Sequence, residues 1–558
     1  MHPVQVFELV FIMLLAILAL HWIASPPAVS LLIGGGALAF VPGLPVFELD
    51  PELVLVLFLP PLLMDGAFFT AHAEFRRHLA GVLSLAIGAV IFTTFVVGVV
   101  SHWLLPNLPW AACFALGAIV SPPDAVSARA VLQSVKLPRR LSTLLEGESL
   151  LNDATGLVLF RFAVAAVLTG TFSTSAAAGQ FLLLAVGGIV VGAVVAGVWM
   201  LVLRRLNDEY LTTAASILLC WAAYLSAEAL HVSGVIATVT AGLLLGWFQH
   251  TIFSATVRIR AGAFWQVMVF IFEAFIFILI GLSLRGVLDR IGGIDVTLAQ
   301  MAVPILIIVL AMTAARFVWI FGSDLVLSMF QALGFKHARP LGAPAATVLG
   351  WAGMRGVVTL AVALTLPESI PGRDFMLVTA FAVILVTVLL QGTTLGALIR
   401  IVGLTEDESR HAKLSSSQAA EAMIVAQKMA VEELASDNQG NLVHPQLLER
   451  YTRRAMVAAS YVNNESAHKD RINAHFDVIL AAVAAGRHEL MRLHRAGEID
   501  DETLLSLERI LDIEEIGALD SRVPKPKKQR RRPHIEQTAP PRDFRLVDGP
   551  LSVRRRRL

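Results

Sequence analysis

Four polar side chains interrupt one long apolar stretch of the chain, and their types and spacing could support chemistry. They are Glu146, Glu148, Asn152 and Asp153, and the apolar residues around them continue to Leu168. The stretch is long enough to cross a bilayer. A carboxylate inside a bilayer costs about 2.5 to 3.5 kcal/mol on insertion scales, so acids in this position are candidates for a functional site.

Helical spacing separates the roles of these groups. Ser149 and Asp153 are four residues apart, so they share one helix face and lie about one turn from each other. Glu148 lies five residues before Asp153 and faces elsewhere. A buried carboxylate without a permanent counter-ion can bind a proton or a cation but gains little from staying bare. The pattern therefore predicts that a proton and a cation compete for Asp153.

The composition defines the environment of these residues. Of 558 residues, 56% are hydrophobic and only 16% are charged, and the mean hydropathy is +0.71. These values are typical of an all-α polytopic membrane protein and not of a soluble globular chain. Nothing in them indicates an enzyme, a cofactor or a nucleic-acid partner. Cys113 and Cys220 both lie in apolar runs, which indicates neither a disulfide framework nor a thiolate metal site.

Thirteen apolar segments have spanning or near-spanning length, since about 20 residues cross a hydrocarbon core of about 30 Å. The first has no basic n-region, so we interpret it as a membrane helix and not as a cleavable signal peptide. The second is short and contains three consecutive glycines, which predicts a helix that is tilted or buried among others. The thirteen segments are 4–24, 28–41, 51–69, 79–104, 109–134, 141–169, 178–203, 210–230, 232–249, 262–284, 298–327, 340–366 and 375–400.

The charges of the connecting loops predict the orientation. One alternate set of connections contains eleven Lys and Arg residues, and the complementary set contains three. By the positive-inside rule, the N-terminus lies outside and the C-terminus in the cytoplasm. The eleven are Arg76, Arg77, Lys136, Arg139, Arg140, Arg204, Arg205, Arg258, Arg260, Lys336 and Arg339, and the three are Arg285, Arg290 and Arg373.

Two segments carry residues that break helices. The fifth contains Pro122 and Pro123, which lack N–H donors and clash with the preceding turn. The twelfth contains three glycines within 350–356, where departure from a helix is cheap. If segments 1 to 6 and 8 to 13 are repeats, each break lies in the fifth helix of its repeat. We therefore predict two inverted six-helix repeats with broken crossing helices.

The first break offers oxygen atoms to an ion. Unwound backbone inside a membrane is tolerated only where it is buried in protein or lines a wet cavity. The carbonyl of Pro123, the carboxylates of Asp124 and Asp153, and the hydroxyl of Ser149 form a set of the kind that hard cations favour. The sequence therefore predicts a site for a monovalent cation beside the fifth segment.

Glu148 and Asp65 are two further acids in the apolar segments. A buried carboxylate and a buried guanidinium can be held as a pair, whereas either alone is strongly unfavourable. For Glu148 we predict an ion pair with Arg355, with the structural role of joining the sixth and twelfth segments. Asp65 follows two prolines in the third segment. It is equally compatible with a water network at the ion site and with the end of a helix.

Four motifs occur in a consistent order along the first 403 residues. They are Phe58-Leu-Pro-Pro-Leu-Leu-Met-Asp65, Ser121-Pro-Pro-Asp124, Glu148-Ser-Leu-Leu-Asn-Asp153 and Trp351-Ala-Gly-Met-Arg-Gly356. Together they resemble the motifs of the monovalent cation:proton antiporter-1 family, the sodium/proton exchangers, in a bacterial, NhaP-like form.

The resemblance implies a homodimer in the cell membrane, active in pH homeostasis, whose core domain moves as an elevator against a dimerisation domain. It implies that Asp153 binds the cation and the proton, that Asn152 orients the site, and that Asp124 and Ser149 line it. It also implies electroneutral exchange, because this branch has Asn-Asp where electrogenic relatives have Asp-Asp. One departure is Pro123, since many members have threonine there, so this position offers a carbonyl but no hydroxyl.

Alternative interpretations stay open. Potassium or lithium could replace sodium as the transported ion, because ligand oxygens alone do not set the size of a cavity. A cation-coupled symporter or a channel would use the same architecture. An intramembrane aspartyl protease would also place Asp124 and Asp153 on separate helices, but its Gly-x-Gly-Asp stretch is missing. For Asn152 with Asp153, a purely structural hydrogen-bonded cluster is the remaining alternative.

After residue 403 the composition changes from apolar to charged. Residues 404–522 predict a cytoplasmic helical domain, because most of this region has helical periodicity with few glycines or prolines. Residues 523–558 predict a disordered polybasic tail, since thirteen basic and three acidic residues follow Ser521. Such a tail could bind anionic lipid, which is worth about 1 kcal/mol per basic residue near the surface, or remain solvated without a regulatory role.

Overall fold

The computed structural model describes residues 27–41, 51–124, 137–170, 174–291, 301–335, 339–404, 416–435, 442–462 and 469–520. The chain divides into two compact units, Met1–Asp407 and Glu408–Leu558. The helices of the first unit are α1 (Pro27–Ala39), α2 (Pro51–Phe68), α3 (His72–Leu104), α4 (Trp110–Val120), α5 (Arg139–Thr169), α6 (Thr174–Leu203), α7 (Glu209–Ala229), α8 (Gly234–Ile252), α9 (Ala255–Ile291), α10 (Ala302–Ala332), α11 (Ala343–Trp351), α12 (Val357–Leu364) and α13 (Arg373–Val402).

Eight helices in the described part of the chain are long and apolar enough to cross a bilayer, namely α3, α5 to α10, and α13. Three shorter apolar helices, α1, α2 and α4, accompany them. Helices suit this environment because their backbone groups are satisfied within one segment. The chain is therefore a multi-pass membrane protein, as predicted. The predicted segment 4–24 lies outside the described residues, so the total of thirteen stays a prediction, as do the inverted repeats.

The helices of the first unit pack as two groups. The first group contains α3, α4, α5, α10, α11, α12 and α13, and the second contains α1, α2, α6, α7, α8 and α9. The groups meet where α2, α8 and α9 contact α5, α12 and α13. Side chains that line this boundary therefore come from both groups.

Close approach of small residues holds α1 against α9. A Cβ atom on Gly35 would come within 3.0 Å of the backbone of Ile278, and one on Gly281 would clash with the backbone of α1. In membranes such small-residue contacts let helix backbones pack closely. The short second segment is thus buried along one side by another helix, which is one of the two arrangements predicted for it.

The second predicted break and the beginning of the first lie in the described residues, whereas residues 125–134 of the fifth segment lie outside them. Helix α4 ends at Val120, and residues 121–124 that follow it are not helical. The predicted twelfth segment consists of α11 and α12, which are separated by non-helical residues 352–356. Two membrane helices also contain a wider π-helical turn, Ser84–Ala89 in α3 and Thr387–Gln391 in α13.

The described part of the second unit consists of α14 (Ser416–Leu434), α15 (Pro445–Val462), α16 (Lys469–Arg495) and α17 (Asp501–Asp520). Helix α14 packs on α15, and α16 packs on α17. Arg487 joins α16 to α17 through Asp512 and Glu515, at 2.7 and 2.6 Å. The cytoplasmic location of this unit stays a prediction, and the predicted tail, 523–558, lies outside the described residues.

Candidate functional site

A cavity of about 40 Å³ lies at the boundary between the two helix groups. Its apolar walls come from α2, α9 and α12, and its polar lining consists of Asp124, Glu146, Ser149 and Asp153. This volume holds a small number of water molecules. The structure therefore brings three of the predicted site residues, Asp124, Ser149 and Asp153, into one small polar space.

One face of α5 supplies most of the polar lining. Glu146, Ser149 and Asp153 follow one another at intervals of three and four residues, which places them in one stripe along the helix. Asp153 is buried, whereas Ser149 and Glu146 are partly exposed. Glu146 had no role assigned from the sequence. The structure places it in the same cavity, at the more accessible end of the stripe.

Asn152 fixes the first helix break to α5. Its side chain is fully buried, and its Nδ2 donates a hydrogen bond to the carbonyl oxygen of Pro123 at 2.5 Å. Among the described residues its Oδ1 has no hydrogen-bond partner. The Pro123 carbonyl thus accepts a hydrogen bond from Asn152 and keeps a second lone pair, and its role as a cation ligand stays a prediction.

Arg355 satisfies carbonyl groups that the end of α4 leaves free. Its Nε donates to the carbonyl of Val120 at 2.7 Å, and its Nη2 donates to that of Ser121 at 3.0 Å. Its Nη1 donates to the carbonyl of Gly353. The last carbonyls of a helix lack partners within the helix and carry partial negative charge. A buried guanidinium at this position stabilises the broken end.

The predicted ion pair of Glu148 with Arg355 is wrong, because Glu148 pairs with Arg316 of α10. Nη1 of Arg316 donates to Oε1 at 2.5 Å and Nη2 donates to Oε2 at 2.8 Å. Arg316 also donates from Nε and Nη2 to the carbonyl of Leu349, at 3.2 and 3.1 Å. The pair is buried and bidentate, so both carboxylate oxygens are engaged. It joins α5 to α10 and α11, not to the second break.

A weak sign of Arg316 was present in the sequence. In α10 the buried side chains Ile308, Met312 and Ile320 recur every four or eight residues, and Arg316 lies on the same face. A charge on the buried stripe of a membrane helix needs a partner inside the protein. The place of Arg316 on the buried face of α10 argues against an interfacial position.

Asp124 lies where the two breaks meet. Its backbone N–H donates to the carbonyl of Met354 at 2.7 Å. Its side chain packs against Gly356, where a Cβ atom would come within 3.0 Å of the carboxyl group. Only a residue without a side chain fits this approach. The second break therefore positions a carboxylate that lines the cavity.

Asp65 does not belong to the lining of the cavity. It is buried in α2, but the cavity is lined by Leu62, Leu63 and Gly66 of that helix. Its role at the ion site therefore stays a prediction.

In the described ranges, no group of three or more His, Cys, Asp or Glu side chains could hold a metal ion. The cavity instead offers oxygen atoms on separate side chains, those of Asp124, Glu146, Ser149 and Asp153. Such an arrangement can contact a small cation, its water molecules or a proton in succession, without the closed ligand shell of a structural metal site.

Broken helices that meet beside a buried carboxylate define the class of secondary ion transporters. The solved structure of the sodium proton antiporter MjNhaP1 from Methanocaldococcus jannaschii at pH 8 has the same fold. The TM-score is 0.56 at 21% identity, and the match covers 72% of this chain and 100% of that one. The model of the family "sodium/hydrogen exchanger, transmembrane" matches residues 3–401. The chain belongs to this family, so it is a transporter and not an enzyme.

One relative shows how much of the chain is similar, and a second is named for the cations that it exchanges. An uncharacterized Na(+)/H(+) exchanger of Mycobacterium tuberculosis H37Rv is 32% identical over 513 residues, which cover 88% of this chain and 92% of the relative. A sodium, potassium, lithium and rubidium/H(+) antiporter of Bacillus subtilis is 34% identical over 408 residues, which cover 68% of this chain and 60% of the relative. The first similarity extends beyond the membrane unit.

Proposed function

We propose that the protein exchanges sodium for protons across the cytoplasmic membrane, with Asp153 as the group that binds both ions. The observation that carries this proposal is the position of Asp153, buried in the small cavity between the two helix groups and accompanied by Asp124 and Ser149. A carboxylate, a second carboxylate and a hydroxyl are suitable ligands for a small hard cation.

The electrostatics of the cavity make Asp153 a site of competition. The nearest charge that acts on it is the carboxylate of Asp124, and burial removes the water that would stabilise its own charge. Two carboxylates in a small cavity repel each other, and either a proton or a cation relieves that repulsion. Once a proton or a cation is bound, the other ligand no longer gains from binding. Mutually exclusive binding couples the transport of the two ions.

The neighbouring charges support a one-for-one exchange. Glu148 and Arg316 neutralise each other, and we assign the exchange of ligands to Asp153, with Asp124 as a fixed charge beside it. One proton traded for one monovalent cation moves no net charge. The proposal is therefore electroneutral exchange.

The position of the cavity supports alternating access by sliding of the helix groups. Asp153 and Asp124 belong to the first group, while α2 and α9 of the second group form the opposite wall. Movement of the first group against the second would expose Asp153 to each side of the membrane in turn. A homodimer joined through the second group would hold that wall still. We propose both the elevator movement and the homodimer.

A broader cation range is the second candidate. The relative from Bacillus subtilis is named for exchange of sodium, potassium, lithium and rubidium. The separate oxygens of the cavity impose no closed shell that would select one ionic radius. A potassium/proton antiporter, or more remotely a cation-coupled symporter of the same architecture, would use the same residues.

The experiment is dequenching of a pH-sensitive dye in everted vesicles on addition of sodium, lithium, potassium or rubidium. Sodium should dequench the dye with the native protein and not with Asp153→Asn at equal amounts in the membrane. Glu368→Gln, which changes an exposed acid between α12 and α13, is the matched control and should exchange normally. Exchange that persists in Asp153→Asn would overturn the mechanism. Cation flux that ignores the pH gradient would indicate a symporter or channel.

A further inference from the structure

A second, larger cavity lies on the far side of the Glu148–Arg316 pair. Its volume is about 770 Å³, and its walls come from α3, α5, α10 and the chain that leads into α11. All these elements belong to the first helix group. Cavities of roughly 300 to 1,000 Å³ are typical of sites that enclose an organic ligand. The ion site described above does not need this space.

One end of this cavity is basic. Arg77, His78, Arg140 and Arg339 line it, with Asp324 as the acid among the lining residues. The carboxylate of Asp324 is already used, because it accepts hydrogen bonds from the N–H groups of residues 341 and 342. Arg77 and His78 also lie 3.9 and 3.3 Å from the carboxylate of Glu74. The three arginines therefore exceed the two carboxylates, Asp324 and Glu74, by one positive charge. The basic end is therefore suited to an anion.

Arg140 is fixed in place at this end. Its Nη1 donates to the carbonyl of Pro340 at 3.0 Å and its Nη2 to that of Arg339 at 2.5 Å. Its Nε is shielded from water, so this atom is not the contact for a ligand. The guanidinium lines the cavity, and its permanent charge attracts an anion.

The other end of the cavity is apolar. Phe92 of α3 and Trp319 of α10 lie there, with ring centroids 5.6 Å apart. Val318, the neighbour of Trp319 in the chain, also lines the cavity and exposes 59% of its surface. In a membrane helix, exposed aliphatic side chains face lipid chains. The apolar end thus opens toward the hydrocarbon and not toward water.

The length of the cavity matches one leaflet. Arg77 and Phe92 are fifteen residues apart on α3, or about 22 Å at about 1.5 Å per residue. One leaflet with its headgroup region contributes about half of a bilayer of about 40 to 45 Å. A ligand with an anionic head at Arg77 and Arg140 and an apolar chain toward Phe92 fits both ends.

We infer that this cavity binds an anionic phospholipid of the leaflet on the predicted cytoplasmic side. The phosphate contacts Arg77 and Arg140, and an acyl chain lies along Phe92 and Trp319. Basic pockets between membrane helices are a known form of anionic lipid recognition. The bound lipid packs α3 against α5 and α10, next to the helix turn that carries Arg316. This inference does not rest on the proposed function, because occupancy is read out without transport.

The test compares lipids on the purified full-length protein. Phosphatidylglycerol added to the protein in detergent should raise its melting temperature more than phosphatidylcholine does, and inorganic phosphate should have no effect. Arg77→Gln with Arg140→Gln should weaken phosphatidylglycerol binding by about fivefold per arginine, or about 25-fold together. Arg204→Gln with Arg205→Gln changes two exposed arginines outside the cavity and should leave binding unchanged.

A variant that fills the larger cavity provides a second test, which holds even if the double arginine variant folds poorly. Gly322 lines the cavity, and a Cβ atom there would meet no other atom within 4 Å. Gly322→Leu should therefore remove the response to phosphatidylglycerol while the melting temperature without lipid stays the same. Equal stabilisation by both lipids, stabilisation by phosphate alone, or an unchanged response in Gly322→Leu would overturn the inference.

Discussion

Arg316 and Arg355 are both buried in the first helix group, but they balance different charges. Arg316 neutralises the carboxylate of Glu148 through two hydrogen bonds. Arg355 neutralises the partial negative charge at the end of α4, through the carbonyls of Val120 and Ser121. A guanidinium suits both tasks because it carries five donors in a rigid plane.

Removal of one member of the Glu148–Arg316 pair should strongly destabilise the protein, because the other charge stays buried without a partner. Arg316→Met leaves Glu148 buried and unpaired, and we expect it to lower the free energy of unfolding by about 3 to 5 kcal/mol. The double variant Arg316→Met with Glu148→Gln should be less destabilised than the sum of the single variants. Melting temperature and the yield of monodisperse protein measure this. Additive losses would contradict a direct pair.

Arg355→Ala should lower the amount of folded protein more than it changes the apparent affinity for sodium. The substitution leaves the carbonyls at the end of α4 without their donor, and unsatisfied polar groups in a membrane interior are costly. Arg355→Lys should restore part of the yield, because it retains a cation at the helix end. Yield is read from size-exclusion chromatography and affinity from dye dequenching. Normal yield with altered affinity would move Arg355 into the transport site.

Sequence reasoning found the acids of the site more readily than their partners. Ser149 and Asp153 share one helix, so their common face follows from spacing alone. The partner of Glu148 lies on another helix, 168 residues further along the chain. Arg316 and Arg355 are each a single arginine in an apolar run, and no local pattern says which helix packs beside Glu148. That choice depends on tertiary packing.

At the scale of elements, the two helix breaks support each other. The N–H of Asp124 in the first break donates to the carbonyl of Met354 in the second. Arg355 from the second break donates to carbonyls of the first. Each break thus supplies partners for backbone groups that the other leaves free, and this is the condition under which unwound backbone persists inside a membrane.

Gly356→Ala tests the contact between the breaks. A methyl group there would collide with the carboxyl group of Asp124, so we expect the crossing to separate and sodium-dependent dequenching to fall at least tenfold, a change that corresponds to about 1.4 kcal/mol. Gly262→Ala is the matched control, because a Cβ atom at Gly262 in α9 has open space around it. Equal activity of both variants would show that the approach of Asp124 to Gly356 is not needed.

Consecutive prolines alone did not identify the first break. Pro60 and Pro61 lie inside α2, which continues as a helix through them. Pro122 and Pro123 follow the end of α4. The difference lies in the partners available. The freed carbonyls near Pro123 meet Asn152 and Arg355, and such partners come from distant parts of the sequence. Both places carry consecutive prolines, so packing decides whether the helix continues through them.

At the scale of the whole molecule, the orientation can be tested with cysteine labelling. Cys113 and Cys220 are both buried, so the native chain should give little background. Arg205→Cys, in a connection predicted to be cytoplasmic, should react in intact cells only with a membrane-permeant maleimide. Glu368→Cys, in a connection predicted to be external, should also react with an impermeant one. The opposite pattern would reverse the predicted orientation.

Charge balance within the first helix group has a consequence for the energy source of transport. Glu148 is matched by Arg316, and the guanidinium of Arg355 lies at the broken helix end that leads to Asp124. In the proposed exchange, Asp153 bears either a proton or a monovalent cation, so these groups would cross the transmembrane electric field without net charge. An uncompensated charge would gain or lose about 2.3 kcal/mol per 100 mV. The membrane voltage should therefore neither drive nor slow the cycle. The concentration gradients of sodium and of protons are then its driving forces.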